Sequence, residues 1–131
     1  MIAFRLDERS GVPTYLQLIE QVRSAVRYGI LRPGDQLPTA RDVVGRLAIN
    51  PNTVLKAYRE LEREGVVRSF PGRGTFVTQE APRPIARSIH EPLRRSLRRW
   101  IADARHAGLD RQAIADLLGL ALRDAFEEEI A

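Results

Sequence analysis

The side chains best suited to binding an anion lie on one side of a predicted helix. Over residues 51–64, polar and basic side chains recur on one helix side, and these are Asn52, Lys56, Arg59 and Arg63. The opposite side is apolar and carries Val54, Ala57, Tyr58 and Leu61. Amide, ammonium and guanidinium groups donate hydrogen bonds to phosphate oxygens and base edges, so the polar side suits nucleic acid. The same pattern also fits an ordinary solvated helix. The segments on either side of residues 51–64 are therefore needed to choose between the two interpretations.

The segment Gly72-Arg73-Gly74 is a second candidate site. An arginine between two residues that add no side-chain bulk can approach a narrow groove closely. Turn glycines alone are unremarkable, so this segment supports an anion-binding interpretation only together with the helix that precedes it.

The charge balance agrees with an anionic partner without requiring one. The 131 residues include 21 basic and 17 acidic side chains, for a net charge of +4, and all but one of the basic residues are arginine. Residues 1–81 hold 12 basic and 9 acidic residues, whereas residues 82–131 hold 9 and 8. Arginine favours forked contacts to phosphate and guanine. The excess of positive charge therefore lies mainly in the first part of the chain.

Catalytic and metal-binding chemistry has little support. There is no cysteine, and His90 and His106 lie sixteen residues apart without a nearby carboxylate pattern, so we expect surface histidines rather than zinc ligands. No Walker-type loop, nucleophile elbow or paired-acid motif is present, and we expect Trp100 to be a core or interface residue. We expect no cofactor, no metal and no enzymatic activity. The lack of cysteine, of a secretory leader and of a long apolar run favours the cytoplasm and no membrane segment.

Two helices are predicted before the polar one. Apolar residues at three- and four-residue spacing predict a helix that begins near Thr14 and stops where Gly29 can adopt a left-handed conformation. After the turn Pro33-Gly34-Asp35, Thr39 is expected to cap a short second helix, because a carboxylate, Asp42, follows three residues later.

The polar helix and the segment after it complete a known architecture. Asn50 is a good N-cap and Pro51 suits a first helical position, so the third helix is expected over residues 51–64. The β-prone runs 66–70 and 75–77 flank a short turn and predict a hairpin. Two helices, a turn, a third helix and a hairpin make a winged helix-turn-helix. The predicted fold class is therefore mainly α with a small β-hairpin.

The chain is expected to divide into two modules. Turn signals are frequent in the first part and nearly absent after residue 91, and Glu80–Pro84 has the composition of a linker. We therefore predict a winged-helix domain over residues 1–79, a linker over 80–91 and a helical module over 92–131.

The second module is predicted to be an αα-hairpin. Pro92 suits the first position of a fourth helix that ends at Gly108, and Asp110 is expected to cap a fifth helix with a solvated acidic end at residues 127–129. One hairpin cannot cover all of its apolar stripes, so self-association is the simplest way to bury them. The residues expected at that interface are Leu93, Leu97, Trp100, Ile101, Ile114, Leu117, Leu118 and Leu122. The alternative is that the hairpin packs on its own winged helix.

Several ordered segments resemble the GntR family of bacterial regulators. They are Pro13–Gln17, Gly29–Arg41, Asn52–Val54, Ala57–Glu62, Glu64–Gly65 and Gly72–Val77. Asn50–Val54 and the short helical tail resemble the YtrA subgroup, whose members lack the large effector domains of other branches. The resemblance implies that the helical tail is a dimerisation module.

The resemblance also implies which residues face DNA. With Arg59 added from the polar side of the third helix, they are Arg41, Asn52, Thr53, Lys56, Arg59, Gly72, Arg73 and Gly74. The start of the third helix would enter the major groove while Arg73 enters the minor groove. Many family members carry arginine where this chain has Pro51 or Leu55. Their base contacts do not transfer, so no operator sequence can be borrowed.

The leading hypothesis is a sequence-specific DNA-binding regulator that represses transcription and binds an inverted-repeat operator as a homodimer. One alternative is a non-catalytic protein-interaction module, because winged helices also bind proteins. Another is an enzyme, since one GntR branch carries an aminotransferase-like domain that uses pyridoxal phosphate. An enzyme of that kind needs hundreds more residues and a lysine that forms the Schiff base. The only lysine in this sequence is Lys56, on the polar side of the third helix. A pocket for a small-molecule effector stays open, and no residue identifies its ligand.

Overall fold

The computed structural model describes residues 2–127. In chain order the elements are α1 (Thr14–Arg27), α2 (Ala40–Leu47), α3 (Pro51–Arg63), β1 (Val67–Phe70), β2 (Gly74–Val77), α4 (Arg87–His106) and α5 (Arg111–Glu127). They form two compact units, Met1–Arg87 and Ser88–Ala131. The predicted fold class, a winged helix-turn-helix followed by a helical module, is confirmed. Glu128 and Glu129 of the predicted acidic end lie outside the described residues, and none of the described helices is long and apolar enough to cross a membrane.

The predicted caps place the starts of α2 and α3. The Thr39 hydroxyl accepts a hydrogen bond from the backbone N–H of Asp42 at 3.1 Å, and the Asn50 side chain accepts one from the N–H of Asn52 at 2.8 Å. Each bond satisfies a backbone donor that has no partner inside its helix. Pro51 occupies the first turn of α3, as predicted. The two capping bonds thereby fix where α2 and α3 begin.

A left-handed glycine ends α3. Gly65 has φ 83°, its N–H donates to the Glu62 carbonyl, and the Val66 N–H donates to the Leu61 carbonyl at 3.0 Å. This Schellman arrangement satisfies the last carbonyls of the helix and turns the chain directly into β1. The β-hairpin, called the wing below, therefore follows α3 directly.

The core of the first unit is built around α3, which packs against α1, α2 and β1. Its largest fully buried side chains come from α1, the segment before α2, α3 and β1, and they are Leu18, Ile19, Val22, Leu37, Val54, Leu61 and Val67. The apolar side of α3 predicted from the sequence is buried in full. Its polar side is therefore directed away from the core.

The hairpin is joined by a third backbone segment. β1 and β2 pair antiparallel from Val67 opposite Val77 to Phe70 opposite Gly74. The chain before α2 runs along the free side of β2: the Leu37 N–H donates to the Thr75 carbonyl and the Val77 N–H to the Asp35 carbonyl, both at 2.8 Å. These bonds tie the start of α2 to the wing.

Residues 2–12 form an N-terminal strap, which the sequence did not predict. The Gln21 side chain exchanges two hydrogen bonds with the backbone of Arg5, and Gln17 does the same with Asp7. Each amide imitates the paired bonds of a β-ladder, so an irregular segment is held along α1. Its apolar residues Ile2–Phe4 line a cavity together with α2.

The predicted start of α4 was wrong. Pro92 lies inside the helix, which begins five residues earlier at Arg87. Proline at this position removes only the bond that its N–H would donate to Ser88 in the opening turns, and Ile89, four residues before Leu93, extends the apolar side. Residues 87–91, the last part of the linker expected over residues 80–91, are therefore helical.

The second unit leaves most of its apolar side chains uncovered. Among the described residues 88–127, only Ala104 and Ile114 are buried, one on each side of the turn at Gly108. The predicted cap of α5 is present, because Asp110 accepts a hydrogen bond from the Ala113 N–H. Few residues of α4 and α5 come close to each other. The exposed large apolar residues of this unit are Ile89, Leu93, Leu97, Trp100, Leu117, Leu120, Leu122 and Phe126.

Tyr58 connects α3 to the segment that leads into α2. Its hydroxyl donates a hydrogen bond to the Pro38 carbonyl at 2.6 Å, and its side chain is buried. Burial raises the pKa of Tyr58 well above its ordinary value, and the negative charge of Asp42 raises it further. The neutral hydroxyl is therefore the form that the folded chain holds.

We expect Tyr58→Phe to lower the free energy of unfolding by about 1 kcal/mol at pH 7, because the Pro38 carbonyl loses its donor. Above about pH 10 the unfolded chain releases the tyrosine proton while the folded chain keeps it, so the native protein loses stability there as the pH rises. The phenylalanine variant has no such loss. Urea unfolding at neutral and alkaline pH should show the gap between the two proteins narrowing, and a constant gap would contradict this account.

Candidate nucleic-acid interface

The polar side of α3 is the base of the candidate interface. Asn52, Lys56 and Arg59 are exposed and Thr53 is half-buried, and all follow the cap formed by Asn50. The buried stripe of α3 fixes their direction, since the opposite side of the helix is enclosed by the core. These four predicted residues thus lie outside the buried stripe of α3, between its start and Arg59.

Arg41 lies on the neighbouring helix, in the first turn of α2. Its guanidinium and that of Arg59 are exposed and have no hydrogen bond or ion pair with another described residue. Arg63, on the same polar side of α3, differs because its Nε donates to Glu60 at 3.1 Å. On α3, the cations without a carboxylate partner are therefore Lys56 and Arg59, which precede the paired Arg63.

The acid-paired arginines lie elsewhere on α3 and on α1. The hydrogen bond from Arg63 lowers the pKa of the Glu60 carboxyl, and the same contact raises the pKa of Arg63. Arg23 of α1 donates to Glu64 at 3.0 Å and also contacts Glu20, and the Glu64 contact raises its pKa. These ion pairs neutralise positive charge near the C-terminal end of α3.

The wing approaches the start of α2. Thr39, the α2 cap, and residues 69–75 of the hairpin line one shallow concavity. This brings the helix that carries Arg41 and the turn that carries Arg73 to the same region of the first unit. The three groups of predicted residues, on α2, α3 and the wing, are therefore carried by elements that the core and the 34–37 segment hold together.

The tip of the wing depends on its two glycines. Gly72 has φ 75° and Gly74 has φ 125°, a region that other residues rarely adopt. The Gln36 amide donates to the Arg73 carbonyl at 3.3 Å, and a Cβ on Gly74 would lie 2.4 Å from the Gln36 Nε2 atom. Gln36, which the sequence did not single out, holds the wing tip from the adjoining segment.

Aromatic rings support the cations of this surface. The Lys56 ammonium lies 3.9 Å from the ring centroid of Tyr15 on α1. In the wing, the guanidinium carbons of Arg68 and Arg73 lie 5.5 and 5.9 Å from the centroid of Phe70. Sequence reasoning missed both rings. No local pattern reports the contact between α1 and α3, whereas Arg68 and Phe70 are two residues apart on one strand, a spacing that places them on the same face.

The other candidate side chains do not join this surface. His90 and His106 both belong to α4, and in residues 2–127 no group of three or more histidine, aspartate or glutamate side chains is arranged to hold a metal ion. Trp100 is partly exposed on the same helix. All three residues belong to the second unit, whereas α2, α3 and the hairpin belong to the first.

A three-helix core with a polar third helix and a glycine-tipped hairpin defines a winged helix-turn-helix protein. Residues 14–77 match the family described as bacterial regulatory proteins, gntR family. The transcriptional repressor YtrA of Bacillus subtilis is 39% identical over 106 residues, which cover 81% of this chain and 82% of that protein. The chain therefore belongs to the GntR family of transcriptional regulators.

Two solved structures are similar to this fold. YtrA from Sulfolobus acidocaldarius, described as a GntR-family transcription factor, is 31% identical with a TM-score of 0.54 over 76% of this chain and 97% of that one. The DNA-binding domain of AraR, solved in complex with operator ORR3, is 27% identical with a TM-score of 0.50 over 59% and 93%. The first of these extends the similarity beyond the winged helix.

We expect Gly74→Ala to lower the free energy of unfolding by about 1–3 kcal/mol, because alanine is strained at this φ and its Cβ meets Gln36. Gly72→Ala is the comparison, because its φ of 75° is closer to the left-handed helical region that other residues can enter and a Cβ there meets no atom within 4 Å. Urea unfolding of both variants should show the larger loss at Gly74, and equal losses would mean that neither its more strained φ nor the contact with Gln36 adds to the cost.

Proposed function

We propose that this chain is a repressor that binds an inverted-repeat operator as a homodimer in the cytoplasm. The observation that carries the proposal is the exposed positive charge of Arg41, Arg59 and Lys56 on α2 and α3, none of which forms an ion pair with a described residue, next to a glycine-tipped wing. Relatives support it: the similar protein of Bacillus subtilis is named a repressor, and the AraR domain was solved on its operator.

In this proposal the start of α3 enters the major groove. Asn52, Thr53 and Lys56 face base edges or adjacent phosphates there, and Arg59 faces the backbone further along the helix. The exposed guanidinium of Arg73 reaches into the minor groove, where the flanking glycines allow close approach. Arg41 contacts phosphate or guanine from the start of α2. Occupying a promoter in this way blocks transcription without an activation surface.

The second unit supports the homodimer. Leu93, Leu97 and Leu122 are 66%, 45% and 61% exposed, although each lies on an apolar side of its helix. Burying a leucine fully is worth about 1.5–3 kcal/mol, so several such residues provide a strong drive to associate. A second copy of the chain offers the same surfaces in a closed two-fold arrangement. The proposal includes no cofactor and no identified small-molecule effector.

We expect Arg41→Ala and Arg73→Ala each to weaken operator binding by about 1–3 kcal/mol, because each removes a charged donor from the DNA surface. The free energy of unfolding should change little, since neither guanidinium has a carboxylate partner in the part of the chain that the structure describes. Arg63→Ala is the control, because Glu60 already compensates that charge. The measurement is fluorescence anisotropy on an operator selected by the native protein from random duplexes. Equal affinity losses in all three variants would contradict the assigned surface.

We expect Leu97→Asp to make the protein monomeric, because an unpaired carboxylate is costly to bury in an apolar interface. Ala102→Asp is the control: Ala102 is exposed and lies about 140° around α4 from Leu97. Only Leu97→Asp should lower affinity for DNA with two half-sites, since joined heads bind with higher avidity. Affinity for a single half-site should be unchanged. Sedimentation would contradict the proposal if both variants remained dimeric, or if the native protein were a monomer.

A further inference from the structure

The contact between Lys56 and Tyr15 joins two elements of the first unit. The ammonium of Lys56, on the exposed side of α3, lies 3.9 Å from the centre of the Tyr15 ring. That ring belongs to the first turn of α1 and is half-buried, with its side chain packed against the hydrophobic core. The ammonium group of a long, exposed side chain is therefore placed against a ring that is itself packed on the core.

Lys56 and Arg63 show two ways of holding a cation on the same side of one helix. Arg63 is hydrogen-bonded to Glu60, so a carboxylate cancels its charge. Lys56 is near enough to Glu60 to help lower the pKa of that carboxyl, but it forms no hydrogen bond or ion pair among the described residues. The face of an aromatic ring attracts a cation through its quadrupole and carries no net charge. Lys56 is thus held in place without being neutralised by a carboxylate ion pair.

We propose that Tyr15 is a positioning residue for DNA binding, which acts by holding the Lys56 ammonium at the phosphate-facing side of α3. A free lysine loses the rotational freedom of a long side chain when it settles on a phosphate. The ring reduces that loss because the ammonium is already confined. The inference rests on the proposed contact between Lys56 and DNA. The ring, not the hydroxyl, is the acting group.

The test combines substitutions at both positions. Tyr15→Phe keeps the ring, Tyr15→Leu removes it, and Lys56→Ala removes the cation. Each single variant and the Tyr15→Leu/Lys56→Ala double variant is titrated, as full-length protein, on the operator selected from random duplexes and over a range of salt. We expect Tyr15→Phe to bind like the native protein and Tyr15→Leu to bind about two- to fivefold more weakly, the size of an exposed cation–π contact. In the Lys56→Ala background the change at Tyr15 should have no effect.

A second readout tests the contact without DNA. Because the Lys56 Nζ atom lies 3.9 Å from the ring centroid, the NMR signals of the adjoining ε-methylene protons should be shifted by the ring current in the native protein and in Tyr15→Phe. The shift should vanish in Tyr15→Leu. Should Tyr15→Leu fail to fold, phenylalanines of increasing fluorine content at position 15 preserve the shape and weaken the ring quadrupole stepwise. Affinity should then fall stepwise with fluorine content.

The possible results distinguish a failure of the Tyr15 positioning role from a failure of the proposed contact between Lys56 and DNA. If Lys56→Ala leaves both affinity and salt dependence unchanged, the proposed DNA contact of Lys56 fails, and the NMR shift still reports whether the ring holds the ammonium. If Lys56→Ala lowers the salt slope by roughly one per half-site but Tyr15→Leu has the same effect in both backgrounds, the positioning role is overturned. A loss in Tyr15→Phe as large as that in Tyr15→Leu would assign the effect to the hydroxyl instead.

Discussion

Val54, Ala57 and Leu61 of α3 are fully enclosed by the core, and the direction of that contact decides which side chains the first unit presents outward. Successive helical residues are about 100° apart, so a slip of one position would carry Lys56 toward the core. The Tyr58 hydrogen bond and the pairing of residues 34–37 with β2 fix α2 and the wing relative to the same helix. The geometry of the candidate surface therefore follows from how tightly one helix is packed.

The means of compensating charge differ between the two ends of α3. Toward its C-terminus, carboxylates neutralise Arg63 and Arg23, which stabilises the fold but leaves little field for a partner. Toward its start, Lys56 is supported by a neutral ring, and Arg73 in the wing lies near Phe70 in a similar way. This difference favours binding to a polyanion, because an aromatic ring orders a cation without adding the negative charge that a carboxylate would bring.

Local signals in the sequence predicted most of the fold. The caps at Thr39, Asn50 and Asp110 were predicted correctly because a capping bond spans only two or three residues. The prediction that α4 starts at Pro92 was wrong, because proline also fits later in the opening turns of a helix and Ile89 already extends the apolar side. Of the candidate surface, the polar side of α3 was predictable from its period. The roles of Tyr15 and Gln36 were not, since each contacts a residue more than thirty positions away.

The N-terminal strap has a practical consequence for recombinant protein. Ile2 and Phe4 form one wall of a cavity whose other wall includes Arg41 and Arg46 of α2. A fusion tag on the N-terminal side of the strap would therefore be tethered near these guanidinium groups, at an effective concentration that a short linker makes high. An acidic or histidine-rich tag there would compete with a duplex for the same cations. Tag-free protein is the proper reference for affinity measurements on this chain.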